Sequence, residues 1–136
     1  MGSNQAEARY ASIVIEAASG KVLHAVNADT QNFPASLTKM MTLYLTFEAL
    51  DSGRLNMSRK LRVSRIAANR SPSKLGLRRG QLITVRDIIG TLVTKSANDA
   101  ATVIAEALAG SERAFARVMT RKAVELGMTK TMFRNA

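Results

Sequence analysis

From Tyr10 to Ala17 apolar and polar positions alternate around the β-branched run Ile13-Val14-Ile15, and after Ser19-Gly20 the alternation resumes from Val22 to Val26. Period two on both sides of a turn predicts a β-hairpin. A polar loop over Asn27 to Asn32 leads to Pro34, whose fixed φ suits the first turn of a helix. Leu37, Met40, Met41, Tyr44, Leu45, Phe47 and Leu50 then cover most of a helical circumference, until Asp51-Ser52-Gly53 supplies a C-terminal stop. That helix, starting near Pro34 to Ser36, is expected to be largely buried. Two short extended stretches follow, Lys60 to Ser64 and Gln81 to Val85, separated by a loop with Ser71-Pro72-Ser73, Gly76 and Gly80, and they are candidates to pair. Thr84 with Asp87 three residues on has the form of a capping box, predicting a second helix that ends near Ser96. A third helix is predicted from about Asn98 to Ala109, stopped by Gly110, and a fourth from Ser111 to Gly127. The order is hairpin, helix, small polar subdomain, helical cluster. That is an α+β arrangement.

Composition narrows this picture. A chain of 136 residues with 46% hydrophobic but only 4% aromatic side chains has a core of Ala, Leu, Ile, Val and Met, and is expected to form one domain. With no cysteine there is no disulfide framework or thiolate metal site, and no stretch reaches the roughly 20 apolar residues of a membrane span. Residues 1–9, opening Met1-Gly2-Ser3, have the look of an expression-vector scar with a disordered lead-in.

The net charge of +10 is unevenly spread, because ten Lys or Arg and no Asp or Glu lie between Arg54 and Arg86. Such a segment attracts polyanions and anionic membranes by its long-range field, or is simply a solvated face. Nucleic acid is not expected: the segment has no interleaved aromatics, and no nucleic-acid-binding signature accompanies it.

Candidate chemistry centres on Ser36 and Lys39. A serine hydroxyl becomes a useful nucleophile when a neighbouring base removes its proton, and lysine serves if desolvation depresses its pKa. Three residues apart at a helix start, the two share a face, with the positive end of the helix dipole behind Ser36. Ser-x-x-Lys alone is a weak signal, since a capping Ser and a solvated Lys produce it by chance. His24, the single histidine, lies in the second hairpin strand without ligand partners, which argues against a Ser-His-Asp triad or zinc site. Asp99 is expected to cap the third helix.

The flanking residues add specificity. Phe33-Pro34-Ala35-Ser36-Leu37-Thr38-Lys39-Met40, Ser73-Lys74-Leu75-Gly76-Leu77, Thr84-Val85-Arg86-Asp87 and Lys95-Ser96-Ala97-Asn98-Asp99-Ala100 together resemble the front part of a D-alanyl-D-alanine carboxypeptidase. These are low-molecular-mass penicillin-binding proteins, serine peptidases related to β-lactamases, whose wider group carries Ser-x-x-Lys, a Ser-x-Asn element and Lys-Thr-Gly. The resemblance implies a partial β-lactamase/transpeptidase-like fold, with the N-terminal β-hairpin of an antiparallel sheet plus a helical subdomain. By carry-over, Ser36 attacks the carbonyl of the penultimate D-alanine of a peptidoglycan stem peptide, Lys39 is the base, Ser96 relays a proton and Asn98 binds the substrate amide. The resemblance also implies β-lactams as ligands, a periplasmic or extracytoplasmic location, a parent open to membrane association, and no metal or cofactor.

One element is missing from the sequence. Met128-Thr129-Lys130-Thr131 offers Lys-Thr without Gly, so the chain over 1–136 is expected to be a truncated penicillin-binding domain lacking the C-terminal strands, with little activity by itself. Such a chain is expected to expose the hairpin edge and one face of the helix from Ser36 to Leu50, and to self-associate or pair with its complement; a well-folded monomer in sedimentation with slow amide exchange throughout would argue against this. A reading from another class is a noncatalytic module that holds an anionic polymer or membrane surface through residues 54–86. Covalent labelling by a fluorescent penicillin separates the two.

Overall fold

The computed structural model describes residues 10–136, so the expectation for residues 1–9 lies outside the described part. The chain divides into two units, one ending at Ala35 and the other spanning Ser36–Ala136.

The first unit is the expected hairpin. Strand β1 (Ser12–Ile15) pairs antiparallel with β2 (Val22–Val26), Ser12 opposite Val26 and Val14 opposite His24, with an irregularity between Val14 and Ile15. Gly20, at φ 71°, adopts the left-handed conformation that closes the turn, and its N–H donates to the Glu16 carbonyl at 2.9 Å. Ile13, Val14, Ile15, Val22 and Leu23 are all exposed.

A single 3-10 turn, Ala35–Leu37, begins on the last residue of the first unit and runs into α1 (Thr38–Asp51) of the second. The polar subdomain holds β3 (Lys60–Arg62), α2 (Arg65–Ala68) and β4 (Leu82–Thr84), with β3 and β4 paired antiparallel. Then come α3 (Val85–Lys95), α4 (Asn98–Ala109) and α5 (Glu112–Glu125). Local chemistry sets these boundaries. The hydroxyls of Thr84 and Ser111 accept the N–H groups of Asp87 and Ala114, capping α3 and α5, while Gly110 at φ 76° ends α4. Helix α4 is the centre of the packing: α1, α2, α3, α5 and β3 all contact it. Its side chains from Asp99 to Ala105 are buried, and Ile88, Leu92, Phe115 and Met119 complete the core around it.

Two expectations need correction. Helix α1 is not largely buried: its inner face is Lys39, Met41, Thr42, Leu45, Thr46 and Ala49, while Leu37, Met40, Tyr44 and Phe47 form an exposed stripe on the other side. Apolar residues all round a helix cannot tell by period which side faces the core, and here two threonines occupy it. The short helix α2 was not foreseen. It is capped by Ser64, whose hydroxyl accepts the Ala67 N–H at 2.9 Å and donates to Glu106 at 2.9 Å, tying it to α4.

Candidate active site

Ser36 occupies the middle of the 3-10 turn and is exposed. It lies one residue before Leu37, the N-cap of α1, so the positive end of the helix dipole falls next to it rather than behind a serine already in the helix. Ala35 immediately before it has φ 43°, a left-handed conformation that costs a non-glycine residue about 1–3 kcal/mol. Lys39, in the first turn of α1, is buried, and its ammonium donates to the Ala136 carbonyl at 3.0 Å. Burial pushes its pKa below the ordinary lysine value. The two positions therefore set an accessible hydroxyl three residues before a desolvated amine.

Ser96 closes α3 in a second left-handed non-glycine conformation, φ 50°, and Asn98 opens α4 two residues later. The loop over Ser71 to Leu77 is fastened to this junction. The Asn98 N–H donates to the Ser73 carbonyl at 2.7 Å, its side-chain amide to the Ser71 and Pro72 carbonyls at 3.4 and 3.3 Å, and the Ser73 hydroxyl to the Lys95 carbonyl at 3.1 Å. Asp99, fully buried, does not cap α4, whose N-cap is Ala97. Instead Oδ1 accepts the N–H groups of Leu75 and Ala100 at 2.9 Å each, and Oδ2 those of Gly76 and Leu77 at 2.8 and 3.0 Å. Burial alone would raise its carboxyl pKa, but these four backbone donors outweigh it and hold the group below the ordinary range.

No hydrogen bond joins any two of Ser36, Lys39, Ser96 and Asn98; what links Lys39 to Asn98 is a longer polar chain. Ala136, which accepts from Lys39, donates its N–H to Glu112 at 3.3 Å; Glu112 pairs with Arg70; Arg70 Nε donates to the Thr102 hydroxyl at 2.9 Å; and that hydroxyl donates to the Asn98 carbonyl at 3.0 Å. Sequence reasoning missed Asp99 in this role, and Arg70, Thr102 and Glu112 altogether. The one available signal was that Asp99 is the lone acid between Asp87 and Glu106. A shallow depression lined by Tyr44, Phe47, Glu48, Leu50 and Asp51 lies toward the far end of α1, its Asp51 edge about 18 Å along the axis from Lys39, and is no part of this site. Among the described residues no three His, Cys, Asp or Glu side chains gather as a metal site, and no helix is long and apolar enough to cross a membrane.

The family model for D-alanyl-D-alanine carboxypeptidase matches residues 2–136. The chain is 40% identical over 133 residues to D-alanyl-D-alanine carboxypeptidase DacF of Bacillus subtilis (strain 168), covering 98% of this chain and 34% of that protein. Its fold is similar to the crystal structure of DacD from Francisella tularensis, with a TM-score of 0.89 and 31% identity over 92% of this chain and 30% of that one. It is also similar to penicillin-binding protein D2 of Listeria monocytogenes in its ampicillin-bound form, with a TM-score of 0.80 and 35% identity over 92% of this chain and 50% of the other. The chain thus spans about a third of the length of the curated relative.

Proposed function

The chain belongs to the D-alanyl-D-alanine carboxypeptidase family, and from that premise we propose that it carries the nucleophile side of a serine carboxypeptidase that removes the terminal D-alanine from peptidoglycan stem peptides. Ser36 Oγ attacks the carbonyl carbon of the penultimate D-alanine while Lys39, as the neutral amine, takes the hydroxyl proton. The tetrahedral intermediate places negative charge on the carbonyl oxygen, beside the Ser36 N–H. Collapse breaks the peptide bond; the departing D-alanine amine takes a proton relayed through Ser96, and an acyl-ester on Ser36 remains. Water attacks that ester, the acid is released, and the proton returns to Ser36. Asn98 holds the amide of the substrate. A β-lactam acylates the same oxygen through its strained amide.

The observation that carries this reading is the buried Lys39 with its lowered pKa three residues after an exposed Ser36. Its desolvation is what a lysine base requires. Because the chain spans about a third of the curated relative, the activity is assigned to the full-length protein, in an extracytoplasmic setting, with little turnover from these residues alone. The test is labelling of the full-length protein by a fluorescent penicillin. A covalent adduct that disappears in Ser36→Ala is expected, with Lys39→Met slowing its formation. An adduct retained by Ser36→Ala would overturn the assignment.

A further inference from the structure

The basic segment of the sequence becomes a surface in the fold. Strands β3 and β4 pair Lys60 with Thr84, Leu61 with Ile83 and Arg62 with Leu82, and the ladder continues through the Val63 N–H to the Gln81 carbonyl (2.8 Å) and the Val85 N–H to the Arg59 carbonyl (3.0 Å). Leu61, Val63, Ile83 and Val85 are buried. The two-residue period of a strand therefore turns Lys60, Arg62 and Leu82 to the outer side, where all three are exposed; Arg86, in the first turn of α3 with its N–H on the Met57 carbonyl, is exposed at the edge of the ribbon. Lys60 and Arg62, two residues apart on β3, lie about 7 Å apart on this side, close enough for like charges to repel.

Among the described residues no acid forms an ion pair with Lys60, Arg62 or Arg86. Of the ten cations between Arg54 and Arg86, Arg70 is the one in an ion pair among the described residues. Asp87 and Glu106 accept hydrogen bonds from the Thr84 and Ser64 hydroxyls rather than from a cation of the segment. Leu82 is 52% exposed and lies directly opposite Arg62, as Thr84 lies opposite Lys60, so one aliphatic side chain stands beside the cations.

We propose that the outer face of the β3–β4 ribbon docks on an anionic lipid bilayer, with Lys60, Arg62 and Arg86 on headgroup phosphates and Leu82 at the acyl boundary. Charge complementarity selects an anionic partner. The exposed aliphatic at the centre selects a bilayer over a soluble polyanion, because only a bilayer offers an apolar layer just beneath its charges. A flexible polyanion with bases to stack would call for aromatic side chains, and the segment from Arg54 to Arg86 contains none. This surface does not depend on Ser36.

The experiment is sedimentation of this chain with vesicles of equal parts phosphatidylglycerol and phosphatidylcholine, against vesicles of phosphatidylcholine alone. Binding to the mixed vesicles only is expected, weakened about fivefold at low salt by each of K60Q, R62Q and R86Q, since a cation at such a surface contributes about 1 kcal/mol. Leu82→Ser should weaken binding without changing its salt dependence. The control, R113Q/R117Q/R121Q, removes three charges from exposed positions of α5, as many as the combined K60Q/R62Q/R86Q removes, and should leave binding near the parent value. Equal loss in the α5 variant would show that net charge alone drives association and would overturn the proposal. So would equal binding to phosphatidylcholine, or tight binding to soluble polyphosphate with none to the mixed vesicles. All these substitutions are at exposed positions, and unchanged far-UV circular dichroism verifies that the variants stay folded.

Discussion

Replacing Asp99 by alanine removes the acceptor of four backbone N–H groups at once. Two of these, on Leu75 and Gly76, sit on exposed residues and can turn to water; the other two, on Leu77 and Ala100, belong to buried residues. A buried donor left without a partner costs about 1–3 kcal/mol, so the dry pair alone amounts to about 2–6 kcal/mol. Removing a buried carboxylate also relieves its desolvation, which offsets part of that loss and leaves a net destabilisation of about 3 kcal/mol. In a unit of about a hundred residues this lowers Tm by about 12–24 °C. Asp99→Asn should fare little better, since its amide keeps one accepting oxygen but points N–H groups at two other N–H donors. Thermal and urea melts followed by circular dichroism give the magnitude, and hydrogen exchange at Leu77 reports whether the loop is released. The pH dependence fixes the sign independently. Because the folded carboxyl lies below its ordinary value of 3.8, its contribution is fully present above that value and disappears as pH falls through the lowered one. Asp99→Ala should lack that acid-dependent component. A variant within about 0.5 kcal/mol of the parent at neutral pH would refute the reasoning.

Two further outcomes follow from the inner face of α1. Thr42 Oγ1 is buried with no hydrogen-bond partner among the described residues, so the near-isosteric Thr42→Val should raise stability by about 1 kcal/mol, read as a higher urea midpoint at unchanged slope; a lower midpoint would reveal a partner for the hydroxyl. The lowered pKa of Lys39 means that the folded state binds fewer protons than the unfolded one between that lowered value and 10.5. Stability should therefore rise with pH through that interval, and Lys39→Met should abolish the rise; urea melts that show no such difference would contradict the desolvation of the amine.

What could be read from the sequence was chemistry that acts over a few residues. The Ser19-Gly20 turn, the Thr84–Asp87 cap, Gly110 and Ser111 each work within one turn, and the elements they bound are present. Helix α2, at four residues, is too short to show a period. An exposed face on α1 was expected, but which face it would be escaped, because the choice of inner face depends on what α4 presents to it. The Ser36–Lys39 spacing was legible, and so was the junction at Ser96 and Asn98. The supports around them were not: Asp99 reaches its loop partners across 22 to 24 residues, and Arg70 reaches Thr102 across 32. No local pattern encodes pairings at such separations.

The hydrogen bond from Lys39 to Ala136 closes a span of 97 residues, and this bears on the order in which the protein assembles. Helices α3, α4 and α5 follow one another with links of two residues, Ser96-Ala97 and Gly110-Ser111, so their contacts need little loop closure and can form early. The Lys39–Ala136 contact needs α1 at one end of the unit and the chain beyond α5 at the other. The burial that lowers the Lys39 pKa is likewise set by contacts across the unit, where the inner face of α1 meets α4. Before α1 packs on α4, Lys39 would stand as an ordinary, solvated lysine, so the depression of its pKa arrives with the tertiary contacts and not with the helix.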